Sequence, residues 1–196
     1  MQAKNLPETT DQNLISAYLK GNSRAFSVLL NRHKVRIFTS IYFIVKDRYV
    51  SEDIFQDVFM RIVDTFKAEK YNEEGKFLPW AIRIAHNMSI DYLRKKKQMP
   101  VIRTNDNEDI FEVLNFCEAS QADSHIISRQ SVDTVKKMVD QLPDDLREVV
   151  ILRHYAELSF KEIAAITNCK LNTALGRMRY ALINLKGQAD QCQLSI

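Results

Sequence analysis

The sequence predicts an all-helical protein of two small domains joined by an acidic flexible linker, and three observations carry that prediction. Apolar residues recur at helical spacing along most of the chain, and no run alternates as a half-buried strand would. Gly and Pro number only 4 each in 196 residues, so long stretches contain neither breaker. Charge is also unevenly placed. Residues 1–97 hold 17 Lys plus Arg against 11 acids (+6), 98–128 hold 1 against 6 (−5), and the remainder holds 10 against 8 (+2). The expected division is therefore a domain over 1–97, a linker over 98–128, a second domain over 129–190 and a tail over 191–196.

Asp11 can cap a first short helix, QNLISAYLKG, with Leu14, Ile15, Tyr18 and Leu19 on its buried side and Gly21 as the stop. Ser23 starts a longer helix bearing Phe26, Leu29, Leu30, His33, Ile37, Phe38, Ile41 and Ile44, until Lys46 and Asp47 break the pattern. His33 lies within that stripe and reads as a core or boundary residue, because no second metal ligand accompanies it. Ser51 begins the next helix, SEDIFQDVFMRIVDTFKAEK, with Glu52 and Asp53 in a first turn whose partial positive charge favours acids. Ile54, Phe55, Val58, Phe59, Ile62, Val63 and Phe66 form its apolar face, and Asp53, Gln56, Asp57, Arg61 and Asp64 its polar one. That polar face suits either water or a docking partner, and spacing alone does not choose between them.

After the loop YNEEGK, the segment FLPWAIRIAHNMSIDYLRKKK forms a helix whose start is fixed by Pro79, tolerable only in the first turn. Phe77, Trp80, Ala81, Ile84, Ala85 and Met88 face inward. Arg83, Asn87, Asp91 and Arg94 recur on the other side and lead into Lys95, Lys96 and Lys97. Such a basic stripe is compatible with nucleic acid, although cations in a last turn also follow from the helix dipole. From Gln98 to about Ser128 the pattern dissolves into a polar, acidic stretch with one apolar patch from Phe111 to Phe116, which reads as a linker.

Helix resumes near Arg129 with Val132, Val135, Met138, Val139 and Leu142 on one side, stops near Pro143, and continues as DDLREVVILRHYAE. LSFKEIAAIT follows, with Ser159 as N-cap, Glu162 completing a capping box, and Ile163, Ala164 and Ile166 as the apolar side. Asn168, Cys169 and Lys170 then interrupt, and Leu171 opens a helix whose apolar side is expected to run through Leu175, Met178, Leu182 and Leu185, with Ala174 and Ala181 beside it. The opposite side offers Asn172, Thr173, Gly176, Arg177, Arg179 and Tyr180 to phosphates and base edges. Residues beyond Gly187 read as a frayed tail. Two amphipathic helices joined by a short turn also occur in helical proteins that never touch DNA, so this pattern alone does not decide the function.

Other chemistries find little support. Cys117, Cys169 and Cys192 are far apart with no C-x-x-C pair, and His33, His86, His125 and His154 are equally scattered, so no metal site, disulfide framework or cofactor is expected. No nucleophile, His and acid constellation stands out, so the chain is not expected to be an enzyme or to bind a small-molecule substrate. The N-terminus has no apolar signal region and no later run is long enough to span a bilayer, which predicts a cytoplasmic protein without membrane insertion.

Taken together and in order, these segments resemble the sigma-70 family of bacterial RNA polymerase specificity factors, in particular the two-domain extracytoplasmic-function group. SEDIFQDVFMRIV resembles the family helix that binds core polymerase, and FLPWAIRIAHNMSIDYLRKKK the helix that opens and reads the minus-ten element. LPDDLREVVILRHYAELSFKEIAAIT with Leu171 to Lys186 resembles the helix-turn-helix that reads the minus-thirty-five element. The resemblance implies core RNA polymerase and promoter DNA as partners, with an anti-sigma factor as a further partner. It implies that Glu52, Asp53, Gln56, Asp57 and Arg61 dock on the polymerase. Arg83, Asn87, Asp91, Arg94, Lys95 and Lys96 would meet the melted minus-ten strand, while Trp80 anchors the core. Lys170, Asn172, Thr173, Gly176, Arg177, Arg179 and Tyr180 would meet the minus-thirty-five element. It also implies that the acidic linker threads the polymerase cleft. A dimeric operator-binding regulator, the main rival, would account for the C-terminal half alone.

Two residues depart from the family pattern. Leu175 stands where a basic or polar DNA-facing residue is usual, and Gly176 sits inside a helix, at a cost of about 1 kcal/mol relative to Ala. Gly176 is expected to let the backbone approach the duplex, and Leu175 either to pack inward or to touch a thymine methyl, unless both are neutral drift.

Overall fold

The structure, a computed structural model, describes residues 9–72, 75–98, 134–135 and 137–191. Regular structure among these residues is helical throughout: α1 (Asp11–Leu19), α2 (Ser23–Val45), α3 (Arg48–Lys67), α4 (Phe77–Gln98), α5 (Asp144–His154), α6 (Phe160–Ile166) and α7 (Leu171–Gln191), with a helical turn at 137–140 before α5. The linker expected beyond Gln98, its apolar patch from Phe111 to Phe116, and Cys117, His125, Arg129, Val132 and Cys192 lie outside the described residues.

Local chemistry sets the helix ends. Thr10, not Asp11, caps α1 by accepting from the Asn13 amide at 3.4 Å, which leaves the Asp11 carboxylate free to bind Arg32 and His33. The α2 helix stops where Lys46 enters the left-handed region at φ 58° and its amide returns to the Tyr42 carbonyl. Helix α3 begins before the expected Ser51, because Asp47 accepts from the Val50 amide at 3.1 Å and acts as the cap. Ser51 is buried, with its hydroxyl donating to the Asp47 carbonyl, and Glu52 and Asp53 therefore fall beyond the first turn.

Helices α1 to α4 enclose one core. Leu14, Leu29, Ile37, Ile41, Val58, Ile62 and Ile82 are fully buried, and Phe66 stands among Tyr18, Tyr71, Phe77 and Trp80 at ring-centroid distances of 6.0, 5.1, 6.2 and 6.0 Å. Removing the Phe66 ring would cost about 3–5 kcal/mol, the usual range for a buried aromatic. Trp80 is a half-buried member of this cluster, as its expected anchoring role requires. Leu19, expected inside, is exposed.

Helices α5 to α7 enclose a second core around Leu142, Val149, Ile163, Ala174, Met178 and Ala181. Arg147 ties the approach to α5, donating to the carbonyls of Val139, Asp140 and Leu142 and pairing with Asp144 at 2.8 Å. Val135, expected on the buried side, is exposed. The largest correction concerns α7. Leu171, Leu175 and Leu182 do not pack inward; they are 46%, 43% and 51% exposed, and the buried side is Ala174, Met178, Ala181 and Ala189, with Leu185 beside it. Small alanines let α7 approach α5 and α6 closely, so the leucine stripe is turned to the flank. The buried Ala189 also carries the helix past Gly187, where a frayed tail was expected.

The two bundles dock on each other, α2 against α5 and α4 against α6. Phe43 meets Tyr155 with ring centroids 6.2 Å apart. Polar pairs among the described residues cross the seam: Arg36–Glu157 at 2.8 Å, Lys46–Asp140 at 3.0 Å and His86–Glu148 at 2.8 Å. In each pair the basic side chain comes from the first bundle and the acid from the second. A cavity of about 270 Å³ remains beside His86 and Glu148, walled by Phe43, Ile90, Leu93 and Leu152.

Candidate functional site

Three solvent-facing surfaces carry the polar residues that the sequence singles out. On α3, Asp53, Gln56, Asp57 and Arg61 are all exposed and recur on successive turns, because the opposite arc, Ile54, Val58, Ile62 and Phe66, is sunk into the core. Glu52 stands apart from them: it is half-buried and accepts from Arg48 Nε at 3.1 Å. Met60, which the sequence reading passed over, is 65% exposed in the middle of this acidic face. It borders a shallow apolar groove formed with Leu30, Phe55, Phe59 and Val63. An apolar centre rimmed by charge is the composition of a docking surface.

On α4, Arg83, Asn87, Asp91, Arg94, Lys95 and Lys96 are exposed, while Ala81, Ile82, Ala85 and Ser89 hold the helix to its bundle. Arg94 reaches Asp91 only loosely at 3.5 Å, and Lys96 Nζ lies 5.9 Å from the Tyr92 ring centroid, so the cations remain available to phosphates. At the start of α4 an open pocket joins Trp80, Arg83, Lys76 and Tyr71 to Glu162 and Ala165 of α6. The docked second bundle thus borders the basic stripe without covering it.

The third surface is the helix-turn-helix. Ser159 Oγ accepts from the Glu162 amide at 3.3 Å while the Glu162 carboxylate accepts from the Ser159 amide at 2.8 Å, completing the expected capping box. Helix α6 ends as Asn168 takes φ 51°, and the Cys169 amide returns to Ala164 O at 2.9 Å. Arg153 braces the preceding turn by donating to Leu158 O at 2.8 Å and lying over the Phe160 ring. These bonds aim α7 so that Lys170, Asn172, Thr173, Arg179 and Tyr180 face solvent. Arg177 lies apart from that set: it pairs with Asp145 of α5 at 2.6 Å, on the flank nearest its own bundle. At Gly176 an added Cβ would meet nothing within 4 Å.

Elsewhere, His33 is the buried core histidine that the sequence suggests, with Nε2 2.7 Å from Asp11 Oδ2 and Nδ1 buried without a hydrogen-bond partner among the described residues. Burial by itself would raise the Asp11 pKa, but the hydrogen bonds and charges of His33 and Arg32 outweigh it and hold the carboxyl below its usual range. No helix among the described residues is long and apolar enough to cross a membrane. The residues of the seam were not singled out in the sequence, since each pair joins positions far apart in the chain.

Comparison with known proteins gives these surfaces a family. Residues 29–99 match the model of sigma-70 region 2, and residues 133–180 that of sigma-70 region 4. The chain is 31% identical over 184 residues to the ECF RNA polymerase sigma-E factor of Escherichia coli (strain K12), covering 87% of this chain and 90% of the relative. It is 26% identical over 176 residues to the RNA polymerase sigma-H factor of Pseudomonas aeruginosa, covering 88% and 90%. Among solved structures, CnrH in complex with the cytosolic domain of CnrY shares the fold at TM-score 0.60 and 22% identity, covering 92% of this chain and 97% of that one. The sigma factor RpoE in complex with the anti-sigma factor NepR, from Bartonella quintana, does so at TM-score 0.57 and 19% identity, covering 84% and 94%. Two region models in the family's order and a relative matched over nearly its whole length place this chain in the extracytoplasmic-function group of sigma-70 factors, which direct RNA polymerase to begin transcription at particular promoters.

Proposed function

We propose that this chain docks on core RNA polymerase through Asp53, Gln56, Asp57 and Arg61 of α3, with Glu52 at the edge, and that Met60 and the adjoining groove supply the apolar centre of that contact. Arg83, Asn87, Asp91, Arg94, Lys95 and Lys96 of α4 then hold the unpaired minus-ten strand, and α7 reads the minus-thirty-five element. Lys170, Asn172, Thr173, Arg179 and Tyr180 contact the duplex, Gly176 gives the backbone room, and Arg177 joins them by exchanging Asp145 for phosphate. The observation that carries this reading is that all three surfaces face solvent on helices whose opposite sides are fixed by packing.

The chain performs no covalent step and has no catalytic residues of its own. Phosphate contacts supply affinity that falls with salt, base-edge contacts supply choice of promoter, and capture of splayed bases draws melting forward. The chain acts in the cytoplasm, divided as 1–97, 98–128, 129–190 and a tail. An anti-sigma partner is part of the reading, since both solved relatives named above are sigma-fold chains held in complexes, one of them with an anti-sigma factor.

Reading both elements requires the docked bundles to part. The two elements, named for positions thirty-five and ten pairs upstream of the start, lie about 25 base pairs apart, or about 85 Å of B-form duplex at ~3.4 Å per pair. A docked body of this chain length has a radius of gyration of about 16 Å, so it is only about half that span across. Run-off transcription with purified core polymerase tests the proposal. Promoter-specific transcripts are expected only when the chain is added, and tight sequence-specific duplex binding by the chain without core would count against it.

A further inference from the structure

Leu175 on α7 is exposed and stands outside the core of its bundle, and its position on the helix points to a role. Ala174, Met178 and Ala181 fix the rotation of the helix, and that rotation puts Leu175 on the exposed flank with Leu171 and Leu182, at the edge of the outward arc that bears Asn172 and Arg179. A leucine held 43% exposed beside a polar amide and a cation leaves apolar surface in water, outside the core that the described residues form. Helix-turn-helix proteins enter the major groove with the N-terminal part of the second helix, and Leu175 is the fifth residue of a helix that begins at Leu171. The apolar group that projects into that groove is the 5-methyl of thymine; cytosine offers only a C5–H at the same place, and the remaining distinguishing features are hydrogen-bond donors and acceptors. Next to it, Gly176 presents no Cβ, and a Cβ there would stand in open space rather than against the fold. The backbone can therefore come closer to the base edges than a side chain at this position would allow, which shortens the reach asked of Leu175.

We infer that Leu175 is a specificity-determining residue that reads a thymine methyl in the upstream promoter element. The inference rests on the reading of α7 as the recognition helix. It makes one base pair of that element a choice for T·A decided by an apolar contact, with Asn172 and Arg179 supplying the polar contacts on either side.

The test uses holoenzyme assembled from core polymerase and the full chain, with the upstream element it selects from a random duplex pool. Each thymine of that element is replaced singly by uracil, which removes the methyl and keeps the base pair. One replacement is expected to weaken promoter binding about three- to five-fold, the worth of one buried methyl-sized group. Leu175→Ala should weaken binding to the thymine duplex by a similar factor and be indifferent to that same uracil, while Leu175→Met, which keeps apolar reach, should retain most of the preference. A selected element in which no thymine methyl matters would overturn the inference, as would a uracil penalty that persists in full in Leu175→Ala. Asn172→Ala and Arg179→Ala separate this failure from a broader one. If they abolish promoter choice while the uracil scan is silent, only the Leu175 assignment falls; if they leave it unchanged, the reading of α7 falls with it.

Discussion

His86 on α4 and Glu148 on α5 meet at 2.8 Å across the seam between the two bundles, and they are the most sheltered of the polar pairs there, with side chains 12% and 21% exposed. The Arg36–Glu157 and Lys46–Asp140 pairs are open to solvent and each contributes about 0–1 kcal/mol. The docked state is therefore held by a thin apolar seam and a few pairs that salt can screen. Glu148→Gln is expected to loosen it, and raising salt from about 0.1 to 1 M should open it further. Inter-bundle distances from paired spin or fluorescent labels check this. Identical distance distributions in the wild-type chain and the variant at both salts would show that these pairs do not hold the bundles.

The α3 face gives a second prediction. Asp53→Lys combined with Asp57→Lys leaves every buried contact intact, so the melting temperature should stay nearly unchanged while affinity for core polymerase falls by more than about ten-fold, the scale on which like-charge juxtaposition costs an interface. Met60→Ala should weaken the same binding without altering its salt dependence. Titration against core polymerase, monitored by fluorescence anisotropy, measures both.

Gly176 offers a test with opposite signs for fold and function. Nothing crowds the position, so Gly176→Ala should stabilise the free chain by about 0.5–1 kcal/mol through helix propensity. The same substitution is expected to reduce transcription from promoters that depend on the upstream element. Thermal melts and run-off transcription read the two effects, and unchanged transcription would remove the close-approach role.

Asp11 makes the stability of the first bundle depend on acid. Its carboxyl titrates below the ordinary value of 3.8, so the unfolded chain takes up its proton first as pH falls. The stabilisation is complete above the ordinary value and is lost as pH drops through the lowered one. Urea melts between about pH 6 and 3 should show stability declining at the acid end, and Asp11→Asn should flatten that decline while being less stable at pH 6.

What could be read in the sequence follows from range. The capping box of Ser159 and Glu162, the stop supplied by Gly21 and the buried arc of α3 are set by neighbours within one or two turns, and the structure has them as expected, while the arc of α4 takes in Leu78, Ile82 and Ser89 besides the residues expected there. The polar surfaces of α3 and α4 follow as the complements of those arcs. Helix α7 departs from expectation because two apolar stripes compete on it: leucine is the stronger hydrophobe, but Ala174 and Ala181 permit closer helix contact, and a single helix carries no sign of how near its neighbours come. The link from Arg177 to Asp145 is illegible for a related reason, since it depends on the placement of α5. The seam was illegible because charges distant in sequence meet there only once both bundles are folded.

That seam also bears on how promoters compete for this protein. If the bundles part to reach both elements, as proposed, the chain binds with an apparent affinity reduced by the fraction of molecules already open. Every residue across the contact, from Arg36 to Glu157, thereby sets a common threshold for all promoters at once, whereas each base-reading residue ranks one promoter against another. Substitutions at the seam should move the whole set up or down together and leave its order intact.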